Sequence, residues 1–167
     1  MAEANSSMDE AVIALEERPT GDFIDGYLAG LATVNAAMTG AAHNSFFYSF
    51  DWIGDGSESR EASLANAFQA GEGEMRFDIA PSPDWRAKAA ELARKWLARG
   101  LPENAADSLA QEFVELLEAY LAQQPAEVLE VKAFTAAGAP ANIGSAYDHL
   151  MFETIDGRLL LEFSMDG

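Results

Sequence analysis

The chain has 167 residues, with 28 Asp plus Glu against 10 Lys plus Arg, a formal net charge of −18, 49% apolar residues and 23% charged ones. These proportions exclude wholesale disorder, and the negative balance excludes a general affinity for DNA, RNA or anionic membrane, which rests on Lys and Arg neutralising phosphates. Cysteine is absent, which removes disulfides, thiolate metal sites and thiol nucleophiles together.

Ser7 and Glu10 have capping-box spacing ahead of Val12, Ile13 and Leu15, so a helix is predicted over 8–17, stopped by Pro19. A second helix starts near Asp22, with Thr20 as its cap; Phe23, Tyr27, Leu31 and Val34 fall at helical spacing, and Gly40 ends it. The aromatic run 45–53 reads as a strand, with Phe46, Tyr48, Phe50 and Trp52 on the core face. A polar loop over 54–59 leads to a short helix over 61–69, where Leu64 and Phe68 stand four apart. Residues 74–80 alternate cleanly, with Met75, Phe77 and Ile79 on one side of a half-buried strand.

Ser82, Pro83 and Asp84 open the next helix, Ser82 as cap and Pro83 at the first position, with Trp85, Ala89, Leu92 and Trp96 as its buried stripe. After Gly100 and Pro102 a helix is predicted over 103–124, its stripe being Leu109, Phe113, Leu116 and Tyr120. Residues 128–135 form a strand and 136–145 a loop of small residues. The end of the chain is a hairpin, 147–154 and 158–164, turning at Asp156-Gly157, a pair suited to a type I′ turn. Strands grouped beside runs of helices give an α+β fold in one domain over 1–167, with helices packed on one face of a mainly antiparallel sheet and a C-terminal β-hairpin.

Chemical motifs are missing. No HxH or HxxxH, GxSxG, GxxxxGK[ST] or GxGxxG occurs, so no catalytic residue, metal or cofactor is expected. Asp148 and His149 are neighbours, but adjacent strand residues point to opposite faces; both His43 and His149 read as structural. The start of the chain has neither the basic residues nor the apolar run of a secretory signal, and no stretch has the length of an apolar membrane span. A cytoplasmic location follows. Abundant alanine with three lysines reads as the composition of a GC-rich bacterial genome.

Charge is the most informative feature. Arg86, Lys88, Arg94, Lys95 and Arg99 hold half of the basic residues. The next helix carries Glu103, Asp107, Glu112, Glu115 and Glu118 and no cation. The two helices are expected to pack antiparallel and exchange charge. Repulsion among Glu112, Glu115 and Glu118 costs stability, which is tolerable if the field attracts a cationic partner. Solubility and adaptation to high salt are the other readings of the same acidity.

The closing segment 147–164, Tyr-Asp-His-Leu-Met-Phe-Glu-Thr-Ile-Asp-Gly-Arg-Leu-Leu-Leu-Glu-Phe-Ser, and the small acidic α+β character resemble the immunity proteins that neutralise bacterial polymorphic toxins. The resemblance implies binding and masking of a cognate toxin, often a basic nuclease. The expected function is therefore a non-enzymatic inhibitor that occludes a basic protein partner, with no direct contact to nucleic acid or membrane. The candidate contacts are Asp51, Asp55 and Glu58 at the end of the first strand and Glu112, Glu115 and Glu118 on the acidic helix. An acidic nucleic-acid mimic, and an enzyme or small-molecule binder built from scattered residues, are the alternatives.

Overall fold

The computed structural model describes residues 19–39, 45–71, 73–122, 125, 127–139, 141 and 146–166. The predicted helix over 8–17, His43 and half of the loop before the hairpin lie outside these residues. In chain order the elements are α1 (Gly21–Thr39), β1 (Ser45–Gly54), α2 (Arg60–Ala67), β2 (Met75–Pro81), α3 (Trp85–Trp96), α4 (Glu103–Leu121), β3 (Glu127–Thr135), β4 (Ala146–Thr154) and β5 (Gly157–Asp166). The strands form one antiparallel sheet in the order β1–β5–β4–β3–β2. The fold is α+β and ends in a β-hairpin, and β1 and β2 are its edges.

The sheet sorts its side chains by alternation. One face carries Tyr48, Phe50, Phe163, Leu161, Leu150, Phe152 and Val128, packed against α1, α3 and α4 in the main core. Trp96 and Phe163 stack there with ring centroids 6.1 Å apart, and Trp85 meets Phe152 edge-on at 5.5 Å. The opposite face carries Leu129, Val131, Met151 and Leu160 under Leu64 of α2. Three of the four described helices thus share one face, and α2 alone lies across the other.

Antiparallel packing of α3 on α4 is observed, with ion pairs Arg86–Glu118 and Arg94–Asp107 at opposite ends. The stripe of α3, Trp85, Ala89, Leu92 and Trp96, is buried as expected. The stripe of α4 is rotated: Ala110, Phe113, Leu117 and Leu121 are buried, while Leu109, Leu116 and Tyr120 are half-buried. Ser82 does not cap α3. Asp84 holds the N-cap position without a side-chain bond, and the Ser82 hydroxyl lies 3.5 Å from Glu130 Oε1.

The hairpin turn also differs from expectation. Thr154 pairs with Gly157, so the two loop residues are Ile155 and Asp156, and neither has positive φ. The turn is therefore not type I′. Thr154 organises it instead: its Oγ1 donates to Gly157 O at 2.9 Å and accepts from Asp156 N at 3.3 Å. Gly157 is required for two reasons. Its φ is +141°, and an added Cβ would lie 2.4 Å from Gly54 O and 2.8 Å from Trp52 Nε1.

Candidate functional site

Two devices fix α1 against β1, one buried and one half-buried. Asn35 donates from Nδ2 to Tyr48 Oη at 3.0 Å and to the Trp96 carbonyl at 2.8 Å, and Tyr48 donates to the same carbonyl at 2.9 Å. That carbonyl is at the end of α3, where helical acceptors lack intrahelical donors. Near the other end of α1, Asp25 Oδ1 accepts from Phe50 N at 2.9 Å. Phe50 N–H points away from β5, so this carboxylate occupies part of an edge that would otherwise be open to another strand.

The carboxyl of Asp25 is held above its ordinary range. Burial is the main cause; the Phe50 N–H opposes it, and the charges of Asp51 and Asp22 add to it. Three carboxylates thus crowd the outer edge of β1. The field continues into the loop after the strand. There Asp55 Oδ1 accepts from Ser57 N at 2.9 Å, and Ser57 is the main reason the Asp55 carboxyl is lowered. Glu58 accepts from the Asn66 amide at 3.2 Å.

Most cations are tied up elsewhere. Arg60 binds Glu127 and Glu153, Arg158 binds Glu153, Lys88 reaches Glu91 and Glu130, and Lys95 binds Asp148 at 2.5 Å. Among the described residues the carboxylates of Asp22, Asp25, Asp51, Asp55 and Glu58 make no ion pair with Lys or Arg, although Arg158 donates to the Glu58 carbonyl at 2.8 Å and its charge helps to lower Asp55.

Large apolar side chains stand exposed beside them. Trp52 is 62% exposed, Phe47 56% and, on the first turn of α1, Phe23 57%. Phe47 and Trp52 lie on opposite faces of the edge strand. Trp52 was expected in the core with Tyr48 and Phe50, which are buried. Its difference has a local cause: the register with β5 shifts between Trp52 and Gly54, and among the described residues β1 has no neighbouring strand beyond it. Phe23, Asp22 and Asp25 were not among the sequence candidates. The sequence placed Phe23 on a buried stripe with Tyr27, Leu31 and Val34, but α1 is rotated and buries Ile24, Leu28, Ala32 and Asn35 instead, which leaves Phe23 and Val34 exposed.

The acidic-helix candidates are differently placed. Glu118 is paired with Arg86, and Glu115 accepts from Gln111 Nε2 at 2.8 Å. Glu112 lines a groove of about 560 Å³ between α1 and α4, beside Leu31, Val34 and Met38. Its charge adds to burial in pushing the Tyr27 hydroxyl up to about 12. That hydroxyl is buried without a hydrogen-bond partner among the described residues.

On the α2 face, Ser49, Glu162, His149 and Val131 lie directly opposite one another across β1, β5, β4 and β3. His149 is buried against Phe68 and Tyr147, with ring centroids 5.1 Å away in both cases. Asp148 lies on the other face, bound by Lys95 and by Trp96 Nε1 at 2.6 Å. The two neighbours therefore diverge as strand geometry requires. Among the described residues no group of three His, Asp or Glu side chains is arranged to hold a metal ion. No helix among them is long and apolar enough to cross a membrane.

The chain matches no known family model, no curated protein sequence and no solved structure. The functional reading rests on the geometry of the described residues.

Proposed function

We propose that this chain is a non-enzymatic, acidic, cytoplasmic binding protein of bacterial type, an immunity protein that binds and occludes a cationic toxin or nuclease. The observation that carries the reading is the mixture, along β1 and the first turn of α1, of unpaired carboxylates with exposed aromatic side chains. An acidic shell that served only solubility would account for the carboxylates. It would give no reason to leave Trp52 and two phenylalanines in water, whereas aromatic anchors ringed by polar groups are what binding surfaces use. The carboxylates would steer a basic partner into encounter, and the aromatics would then slow its departure.

Asp51, Asp55 and Glu58 belong to this surface directly. Glu112 and Glu115 extend the same field from α4, and Glu118, already paired with Arg86, contributes least. Inhibition needs no chemistry from this chain. A body of this size seated over an active site excludes the substrate.

The test is affinity capture from a nuclease-treated lysate of the source organism, eluted with a salt gradient and identified by mass spectrometry. A basic enzyme that leaves at elevated salt, and whose activity the purified chain suppresses, is the expected result. Capture only of partners that also elute at low salt, with no activity suppressed, would overturn the reading. A captured DNA-binding protein that releases its DNA to this chain would assign nucleic-acid mimicry in its place.

A further inference from the structure

On the α2 face, an open cleft of about 420 Å³ runs beside α2, lined by Asp51, Ile53, Asn66, Ala67, Leu160 and Glu162, with Trp52 at its side. We infer that this cleft is a binding site for one guanidinium group carried on an aliphatic stem. Asp51 pairs in register with Leu160 and Ser49 with Glu162, so the two carboxylates are diagonal neighbours on one face of the β1–β5 pair, a spacing of about 7 Å between Cα atoms. Neither has a Lys or Arg partner among the described residues. Asn66 donates its Nδ2 to Glu58 and leaves its carbonyl oxygen to accept. The polar rim is therefore made of acceptors, and the floor, Ile53, Ala67 and Leu160, is apolar. A guanidinium offers five donors in a plane and no acceptor, and its stem packs on apolar surface.

The second observation lies behind the carboxylate. Glu162 is largely buried, at 13% side-chain exposure, and among the described residues its side chain has polar contacts to Ser164 Oγ at 3.4 Å and His149 Nε2 at 3.7 Å. His149 is fully buried, aims Nε2 at this carboxylate from beyond hydrogen-bond distance, and has no hydrogen-bond partner on either ring nitrogen among the described residues. A buried carboxylate and a buried imidazole are both left under-satisfied, which is costly unless something completes the set. A cation supplied from the cleft side would satisfy Glu162. The inference deepens the reading above and rests on it only for the source of the group, an arginine side chain of the cationic partner rather than a free small molecule.

The experiment is a ¹H–¹⁵N NMR titration of the full chain with N-acetyl-arginine amide, with N-acetyl-lysine amide at matched ionic strength, and with an arginine-containing tripeptide amide. Saturable shifts of the Asn66 side-chain amide, the Trp52 indole N–H and the His149 ring are expected with the arginine compound, and about tenfold weaker binding with the lysine one. Glu162→Gln is expected to weaken binding by about tenfold or more, and so is Asp51→Asn, an exposed position where folding is not at stake. Tighter binding of the tripeptide than of the single residue assigns the site to a protein partner. Equal binding assigns it to a free guanidinium compound, which leaves this site standing while removing its support for the inhibitor reading. Shifts that do not saturate, that are equal for lysine and arginine, that spread equally to Glu112 and Glu115, or that persist in Glu162→Gln would overturn the inference.

Discussion

Replacing Asn35 with Ala tests how the candidate surface is held together. Asn35 is one of the few buried polar side chains, and it joins three elements through two donated hydrogen bonds, at 3.0 Å to Tyr48 Oη and 2.8 Å to the Trp96 carbonyl. Each such bond contributes about 1 kcal/mol net, and the removed amide leaves a small void that adds to the loss, so the expected cost is about 2–4 kcal/mol. Tyr48→Phe should cost less, about 1–2 kcal/mol, because Asn35 still satisfies the Trp96 carbonyl. Against a total stability of roughly 5–15 kcal/mol the first change is large, and in a chain of this length it lowers Tm by about 5–15 °C. Urea unfolding followed by tryptophan fluorescence and far-UV circular dichroism measures both variants. A loss below about 1 kcal/mol for Asn35→Ala, or a larger loss for Tyr48→Phe than for Asn35→Ala, would refute the assignment of Asn35 as the anchor of α1 on β1.

Three further outcomes follow from the same geometry. The Glu153 carboxyl is held below its ordinary value of 4.5, chiefly by Arg60 and then, against the effect of burial, by Arg158; its stabilisation is present above that value and is lost as pH falls through the lower folded one. Glu153→Gln should therefore cost roughly 1–3 kcal/mol at pH 7, discounted for partial exposure, and should flatten the acid limb of a stability–pH curve. A variant that kept the wild-type acid limb would contradict this. For Asp25 the sign is opposite: its folded carboxyl lies above the ordinary 3.8, so stability falls as pH rises through the interval between the two. Asp25→Asn, which keeps an acceptor for Phe50 N, should remove that slope and be no less stable than wild type at neutral pH and low salt; a clear loss of stability in thermal melts would count against the argument. Tyr27→Phe removes a buried hydroxyl that has no hydrogen-bond partner among the described residues, so it should be neutral or stabilising by up to about 1 kcal/mol, and a loss of more than about 1 kcal/mol in urea unfolding would show that the hydroxyl is bonded in solution.

Much of the architecture could be read from local pattern. The alternation of Met75, Phe77 and Ile79 survives as the half-buried edge strand β2. Trp85, Ala89, Leu92 and Trp96 repeat at helical spacing and are buried as one stripe. What could not be read depends on which element meets which. The rotation of α4 toward Ala110 and Leu117 goes with contacts from distant parts of the chain: α4 packs along α3, and its Phe113 meets Tyr27 of α1 and Phe163 of the sheet. The exposure of Trp52 is decided by β1 being an edge and by the shift in register after it. The Asp156-Gly157 pair looked like a turn dipeptide, but Gly157 is needed for close approach to Gly54 and Trp52.

The candidate site divides in the same way. Asp51, Asp55 and Glu58 are near in sequence, and the structure keeps them at one end of β1. Asp25 joins them only through its bond to Phe50, twenty-five residues away. The row Ser49, Glu162 and His149 exists only because of the registers of β1, β5 and β4, which no spacing in one chain reveals.

The most direct test of the central claim is the association rate of the chain with its captured basic partner, measured by stopped flow across a range of salt concentrations. The Asp51→Asn, Asp55→Asn, Glu58→Gln triple variant should associate about tenfold more slowly at low salt and with a shallower salt dependence than wild type. The Glu112→Gln, Glu115→Gln, Glu118→Gln variant should change the rate less, since Glu118 is already paired with Arg86. An unchanged rate and salt slope in the first variant would contradict the account.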